Sequence, residues 1–273
     1  SRFLYFWYSM NATSKQPIGI FDSGIGGTSI WKEIHQLLPK ENSIYLADSK
    51  NAPYGQKSEE KILELSIKNT EFLLNKNCKL IVVACNTATT NAIEYLRKNY
   101  NVPFIGIEPA IKPASINSKT KNIGILATKG TLNSSLFATT SNKIDQEVTI
   151  IEQVGEGLVE LIENGQLISK EMTQLLTNHL QKLLKHNIDY LVLGCTHYPY
   201  LISQIQEIIG TDITIVDSGQ AVAKQIKKVL EENSLLNFRS LKSNHIFYTN
   251  TNTKVLEFVL ENNQNYSVKK LDF

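Results

Sequence analysis

From Pro17 onward, short apolar runs alternate with longer stretches in which apolar residues recur every third or fourth position. The short runs predict strands at Ile18–Phe21, Ser43–Ala47, Leu80–Ala84, Val102–Ile107, Asn122–Ala127, Val148–Gln153, Tyr190–Gly194, Ile213–Val216 and His245–Tyr248. The longer stretches predict amphipathic helices. The clearest spacing runs through Leu167, Ile168, Met172, Leu175, Leu176, Leu180, Leu183 and Leu184, and Lys57 to Asn75 repeats it through Ile62, Leu65, Phe72 and Leu73. Strands alternating with helices predict an α/β fold with mainly parallel sheets. Runs such as Leu191 to Leu193 are apolar without alternation, as strands buried on both faces require.

The pattern also repeats. Leu80-Ile-Val-Val-Ala-Cys85-Asn-Thr87 is a buried strand, a small residue, a cysteine and then polar residues; Leu191-Val-Leu-Gly-Cys195-Thr-His197 has the same order, and Cys195 follows Cys85 by 110 positions. Ile18-Gly-Ile-Phe-Asp22 and Ile123-Gly-Ile-Leu-Ala form a second matching pair, 105 positions apart. The interval is too long for a solenoid and fits a duplicated half. Two similar α/β domains related by a pseudo-two-fold axis would bring the cysteines face to face across the cleft between them. The polar run Lys112 to Lys121 and the turn at Gly210-Thr-Asp mark the crossovers. The expected division is residues 17–101 plus 213–273 for the first domain and 102–212 for the second.

The chain has 273 residues, ample for such a core. Its 28 Lys and Arg nearly balance 26 Asp and Glu, and no basic cluster interleaves with aromatics, so nucleic acid is not an expected partner. Three cysteines form no disulfide framework, and a reduced cytoplasmic setting is the simplest one. No apolar stretch is long enough to span a membrane. Residues 1–16 read as an N-terminal tail, unusually aromatic over 1–9, with Met10 the more natural start.

A lone free cysteine is ordinarily a small core hydrophobe. Cys85 and Cys195, however, each end a strand before polar residues that open a helix, where a helix N-terminus favours a thiolate. Cys78 lacks that setting and reads as inert. With no CxxC or HxxxH the chain offers no zinc pattern, so no metal and no cofactor are expected. Two facing thiols can take a proton from one face of a carbon and return one to the other, which is racemisation or epimerisation at an acidic C–H. His197, beside Cys195, is either a partner of that thiol or a structural histidine. Asp22-Ser23-Gly24-Ile25-Gly26-Gly27 is either a tight strand-to-helix turn or a set of amides that holds a carboxylate, with Ser23 donating and Asp22 orienting an ammonium group or tuning a thiol. Asn86, Thr87 and Thr196 suit both N-capping and substrate contact, and Tyr54-Gly55 lies in a turn-rich loop after the second strand.

Five segments, FDSGIGG at 21–27, LADSKNAPYG at 46–55, ACNTATT at 84–90, IGIEPA at 105–110 and GCTHYPYL at 194–201, resemble glutamate racemases of the aspartate/glutamate racemase family. The resemblance covers Pro17 to about Glu231. It implies a cofactor-independent isomerase that interconverts L- and D-glutamate in the cytoplasm and supplies peptidoglycan synthesis. It implies Cys85 as the base for the D-enantiomer and Cys195 for the L-enantiomer. It implies substrate contacts at Asp22, Ser23, Tyr54, Gly55, Asn86, Thr87, Thr128, Thr196 and His197. The only partner it implies is the small-molecule substrate, and a homodimer is compatible with it. A family glutamate would fall on Glu163, although Val154-Gly155-Glu156 stands where many members have Ala-Cys-Pro. Three rivals stay open: an aspartate racemase, an amidase using Cys195 and His197, and a hinged amino-acid-binding protein without catalysis.

Overall fold

The computed structural model describes residues 13–238, 242–261 and 266–273. Its strands are β1 (Ile18–Asp22), β2 (Ser43–Ala47), β3 (Leu80–Val83), β4 (Phe104–Gly106), β5 (Asn122–Ala127), β6 (Thr149–Val154), β7 (Tyr190–Gly194), β8 (Thr214–Val216), β9 (His245–Thr249) and β10 (Tyr266–Lys270). They form one sheet in the order β10-β9-β2-β1-β3-β4 and a second in the order β6-β5-β7-β8. Every paired neighbour is parallel. The order β2-β1-β3-β4 is repeated as β6-β5-β7-β8, so the duplication expected from the cysteine interval is present as topology. β3 and β7, which lead to the two cysteines, occupy the same position in their sheets.

The two crossings between sheets come later than residues 101/102 and 212/213. β4 pairs with β3 from Ile81↔Phe104, and β8 pairs with β7 from Tyr190↔Thr214, so each sheet keeps its fourth strand before the chain leaves. The polar run after 111 is mostly the helix Ile111–Asn117; its Pro113 lies in the first turn, where a missing N–H costs no helical bond. β10 is absent from the sequence reading. It is an edge strand ending in Lys269 and Lys270, and charge at a sheet edge weakens the apolar signal. The helix after Ser169 is Lys170–Leu184; Leu167 and Ile168 precede it, and Ile168 is exposed.

β9 and β10 extend the first sheet beyond its duplicated four strands and are held by aromatic packing. Buried Trp31, on the helix Thr28–Leu37, donates from Nε1 to Ser43 Oγ at 2.9 Å and meets Phe247 and Tyr266 edge-on at 4.9 Å each. Such pairs contribute about 0.5–1.5 kcal/mol each beyond area burial. Of the expected tail, residues 1–12 lie outside the described residues. Residues 13–16 belong to the fold: Gln16 N–H donates to the Thr13 carbonyl at 3.1 Å. The buried Lys79 ammonium donates to the Ser14 carbonyl (2.6 Å), Glu41 Oε2 (2.6 Å) and the Leu235 carbonyl (2.8 Å). Cys78 is buried against Gly19, and burial pushes its thiol up, as an inert core cysteine requires.

Candidate active site

In a parallel sheet the space beyond the carboxyl ends of the strands is where loops converge. β1 ends at Asp22, β3 leads through Ala84 to Cys85, and β7 is followed at once by Cys195. Cys85 is the N-cap of the helix Asn86–Asn99, with its sulfur 3.4 Å from the Ala88 amide. It also lies 3.8 Å from Ser23 Oγ. Cys85 is 4% exposed and Cys195 7%, so both thiols are nearly dry. Burial pushes the Cys85 thiol well above its ordinary value, and the Asp22 carboxylate and Cys195 add to this; the Ala88 amide and Ser23 oppose it.

Cys195 has different company. Its sulfur is 3.7 Å from His197 Nδ1, and His197 Nε2 is 2.6 Å from Glu163 Oε1. Burial alone would lower the imidazole pKa. The bonds to Cys195 and Glu163 and the nearby Asp22 carboxylate outweigh it and push the ring well above the ordinary histidine value, which favours the protonated form. A protonated ring donates from both nitrogens, to the sulfur on one side and the carboxylate on the other. Gly26 lies beneath that ring: a methyl there would fall 2.2 Å from Nδ1.

Glu163, left uncertain by the sequence, joins the two halves. It ends the helix Leu158–Glu163 and crosses to the first half, where Oε1 accepts from the Ile25 amide at 2.6 Å and Oε2 from Ser49 Oγ at 2.8 Å. Asp22 is fully buried; its Oδ2 accepts from the Gly24 and Gly27 amides at 3.1 Å each, and its Oδ1 from Thr196 Oγ1 at 3.3 Å. Burial pushes the Asp22 carboxyl up, while His197 and the two amides draw it back. These contacts correct one expectation. Three amides of the Gly24–Gly27 loop hold the chain's own carboxylates, Asp22 and Glu163, rather than standing open for a ligand.

The other expected contacts divide. Thr87 Oγ1 and Thr128 Oγ1 are 2.8 Å apart, joining the halves, and Thr131, which the sequence reading missed, closes a triangle with them. Gly55 packs on Thr128, where an added Cβ would fall 2.8 Å from the threonine Cβ. Asn86 is 3% exposed, and its Nδ2 is buried with no partner among the described residues. Tyr54 is 1% exposed and packs in the core of the first half; its hydroxyl donates to Asp48 Oδ2 at 2.5 Å and accepts from Asn69 Nδ2 at 3.1 Å. Ser49 was also missed, although it lies inside the Leu46–Gly55 motif.

Comparison with known proteins gives the family. The family model described as Asp/Glu/Hydantoin racemase matches residues 18–226. Glutamate racemase from Cupriavidus pinatubonensis is 47% identical over 219 residues, covering 80% of each chain. The glutamate racemase isoform RacE1 from Bacillus anthracis superposes with a TM-score of 0.85 at 32% identity, covering 94% of this chain and 98% of that one. Escherichia coli glutamate racemase, in complex with L-glutamate and the activator UDP-MurNAc-Ala, superposes with a TM-score of 0.83 at 31% identity, with the same coverage. With two buried thiols at matched strand ends and a family match over most of its length, the chain belongs to the Asp/Glu/Hydantoin racemase family.

Proposed function

We propose that this chain interconverts L- and D-glutamate by proton transfer between Cα and the thiols of Cys85 and Cys195. The observation that carries the reading is the pair of buried cysteines following corresponding strands of two sheets with the same order. For either enantiomer one sulfur, as thiolate, takes the Cα proton while the opposite thiol delivers its own to the other face. The two sulfurs thereby exchange protonation states, and atoms and charge balance over a turnover. Both proton carriers are side chains, so no cofactor enters these steps. Cys195 is the base toward L-glutamate and Cys85 toward D-glutamate.

The Cα–H of an amino acid is far less acidic than a thiol, so the barrier must be lowered electrostatically. The dry cleft magnifies every charge in it, and donors already in place need no reorganisation when carbanion character develops. Burial keeps Cys85 protonated, which suits it to act first as acid toward L-glutamate. The substrate ammonium would offset the nearby Asp22 charge and ease deprotonation of this thiol in the reverse direction. His197, protonated and steadied by Glu163, donates toward the Cys195 sulfur. Asn86 has a buried amide without a partner among the described residues to offer, and in this reading Ser23, Thr87, Thr128, Thr196, Gly55 and Asp22 are the further substrate contacts. Tyr54 contributes by holding the loop, its hydroxyl bonded to Asp48 rather than offered to the substrate. No described helix is long and apolar enough to cross a membrane. The reading places the enzyme in the cytoplasm as a source of D-glutamate for peptidoglycan. One chain supplies both thiols, so a homodimer would add stability rather than a reacting group.

The line Cys195–His197–Glu163 also has the layout of a cysteine nucleophile with base and orienting acid, the arrangement an amidase would use. That reading leaves Cys85 without a task and requires an acyl-enzyme visible by mass spectrometry. The test is circular dichroism of the purified chain with L-glutamate and, separately, L-aspartate. Decay of the glutamate signal to zero supports the proposal; decay with aspartate alone moves it to the aspartate racemase; no decay with either overturns it.

A further inference from the structure

We propose that Asn250 is a positioning residue for this site, holding the turn that bears Ser49 and Tyr54 through a paired contact with Asp48. The proposal rests on the racemase reading above. It goes beyond that reading because Asn250 lies outside the 18–226 stretch matched by the family model, just past the strand β9 that the duplication does not include.

The register creates the contact. β2 pairs with β9 through Ala47↔Thr249, so the next residues, Asp48 and Asn250, meet just beyond the carboxyl ends of adjacent strands. Asn250 Nδ2 donates to Asp48 Oδ1 at 2.5 Å, and Asn250 Oδ1 accepts from the Lys50 amide at 2.8 Å. One side chain thus grips the turn at both ends, from 200 residues away in sequence. Asp48 is fully buried and passes the hold on: Oδ1 also accepts from Asn51 Nδ2 at 2.8 Å and faces the Lys68 ammonium at 3.8 Å, Oδ2 accepts from Tyr54, and its amide donates to the Asp22 carbonyl at 3.1 Å. Between the gripped residues lies Ser49, whose hydroxyl donates to Glu163. Glu163 in turn holds His197 against Cys195. The line from Asn250 therefore has two ends: the Tyr54-Gly55 loop facing Thr128, and the Glu163–His197 pair beside a reacting sulfur. A buried carboxylate with this many donors has little freedom, so reversing the sense of one bond should displace the whole turn.

Three variants test this: Asn250→Asp, Asn250→Ala, and Asn250→Asp with Asp48→Asn. Asn250→Asp sets two carboxylates face to face. The double variant restores one donor and one acceptor, because an amide at position 48 can donate to the carboxylate introduced opposite it and, once the Asn51 amide turns over, to Asn51 Oδ1, while its oxygen still accepts from Tyr54. We expect kcat/KM for glutamate to fall about ten- to hundredfold in Asn250→Asp, as for a small displacement remote from the chemistry. Asn250→Ala should fall in the same direction by less. The alkaline limb of the pH–rate profile should move to lower pH in both, because a loosened Glu163 supports the His197 charge less. The double variant should recover both properties to within about threefold of wild type, well inside the predicted loss. A purely structural role would lower the urea midpoint yet leave kcat, KM and the alkaline limb of the folded fraction unchanged. That result, or a double variant no better than Asn250→Asp, overturns the proposal. A wild-type chain inactive on glutamate in the same assay would instead overturn the racemase reading on which the proposal stands.

Discussion

Replacing Glu163 by Gln removes one charge and almost no volume. Its carboxylate accepts from the Ile25 amide, Ser49 and His197, and a glutamine oxygen can keep the first and third of these while its amide faces the serine. The perturbation is therefore confined to the charge beside the His197 imidazolium. The bond from the protonated ring stays charge-assisted but loses its opposing charge; such bonds span about 1.5–3 kcal/mol, so falling from the top of that range takes about 1–2 kcal/mol of support from the ring. At about 1.36 kcal/mol per pH unit, the histidine should release its proton about one unit lower. His197 is held above its ordinary value, so activity that needs the imidazolium is present at lower pH and is lost as pH rises through the raised value. In Glu163→Gln that alkaline limb moves down by about one unit. On the plateau, kcat/KM falls about five- to thirtyfold if the full loss appears in the barrier. Enantiomers have equal free energy, so the two directions must lose kcat/KM equally, which provides an internal check. The assay is initial rates by circular dichroism from both enantiomers over a pH series running upward from the ordinary histidine value of about 6.5. A profile that superimposes on wild type, with less than about twofold loss, would refute the role given to the Glu163–His197 pair.

Other expectations are as direct. Cys85→Ser and Cys195→Ser should each abolish racemisation while leaving the urea midpoint close to wild type; near-normal turnover by either would end the two-thiol assignment. Gly26→Ala forces a methyl to within 2.2 Å of His197 Nδ1 and should cost activity with little loss of secondary structure by circular dichroism. Lys79→Met strands the buried Glu41 carboxylate and should cost about 3–5 kcal/mol in urea unfolding, more than half of it recovered by adding Glu41→Leu. Burial and then His35 depress His245 to about 4, so the native ring stays neutral where the unfolded chain takes up a proton. Its stabilising share is full above pH 6.5 and is lost as pH falls toward 4, by about 3 kcal/mol at most. The stability difference between wild type and His245→Asn, from denaturant titrations, should change across that window and stay constant outside it.

Much of this architecture was legible because its signals are local. Continuous apolar runs mark strands buried on both faces, and each cysteine follows such a run directly, so period and position identified both thiols. The duplication was legible for the same reason, as an interval. What escaped depends on contacts that no interval records. β10 carries its charge to a sheet edge, and β4 and β8 are three-residue strands whose sheet is decided by the partner, not by their own residues. Resemblance points to Glu163, but by its own setting it looks like any helical surface glutamate until the fold carries it to Ile25 and Ser49. Tyr54 lies in the right loop, yet a buried Asp48 offered its hydroxyl a stronger partner than the cleft. The glycine-rich turn was recognised as an anion site by its amides, while the anions proved to be Asp22 and Glu163.

The central claim is that two thiols on opposite faces of one carbon exchange its proton. Its most direct test is to start from L-glutamate in deuterium oxide, stop early, separate the enantiomers and weigh each. The account predicts one deuterium at Cα in nearly all D-glutamate formed and almost none in the remaining L-glutamate, because each face meets its own sulfur. D-glutamate carrying mostly the original hydrogen, or equal labelling of both enantiomers from the start, would mean a single base serving both faces and would contradict it.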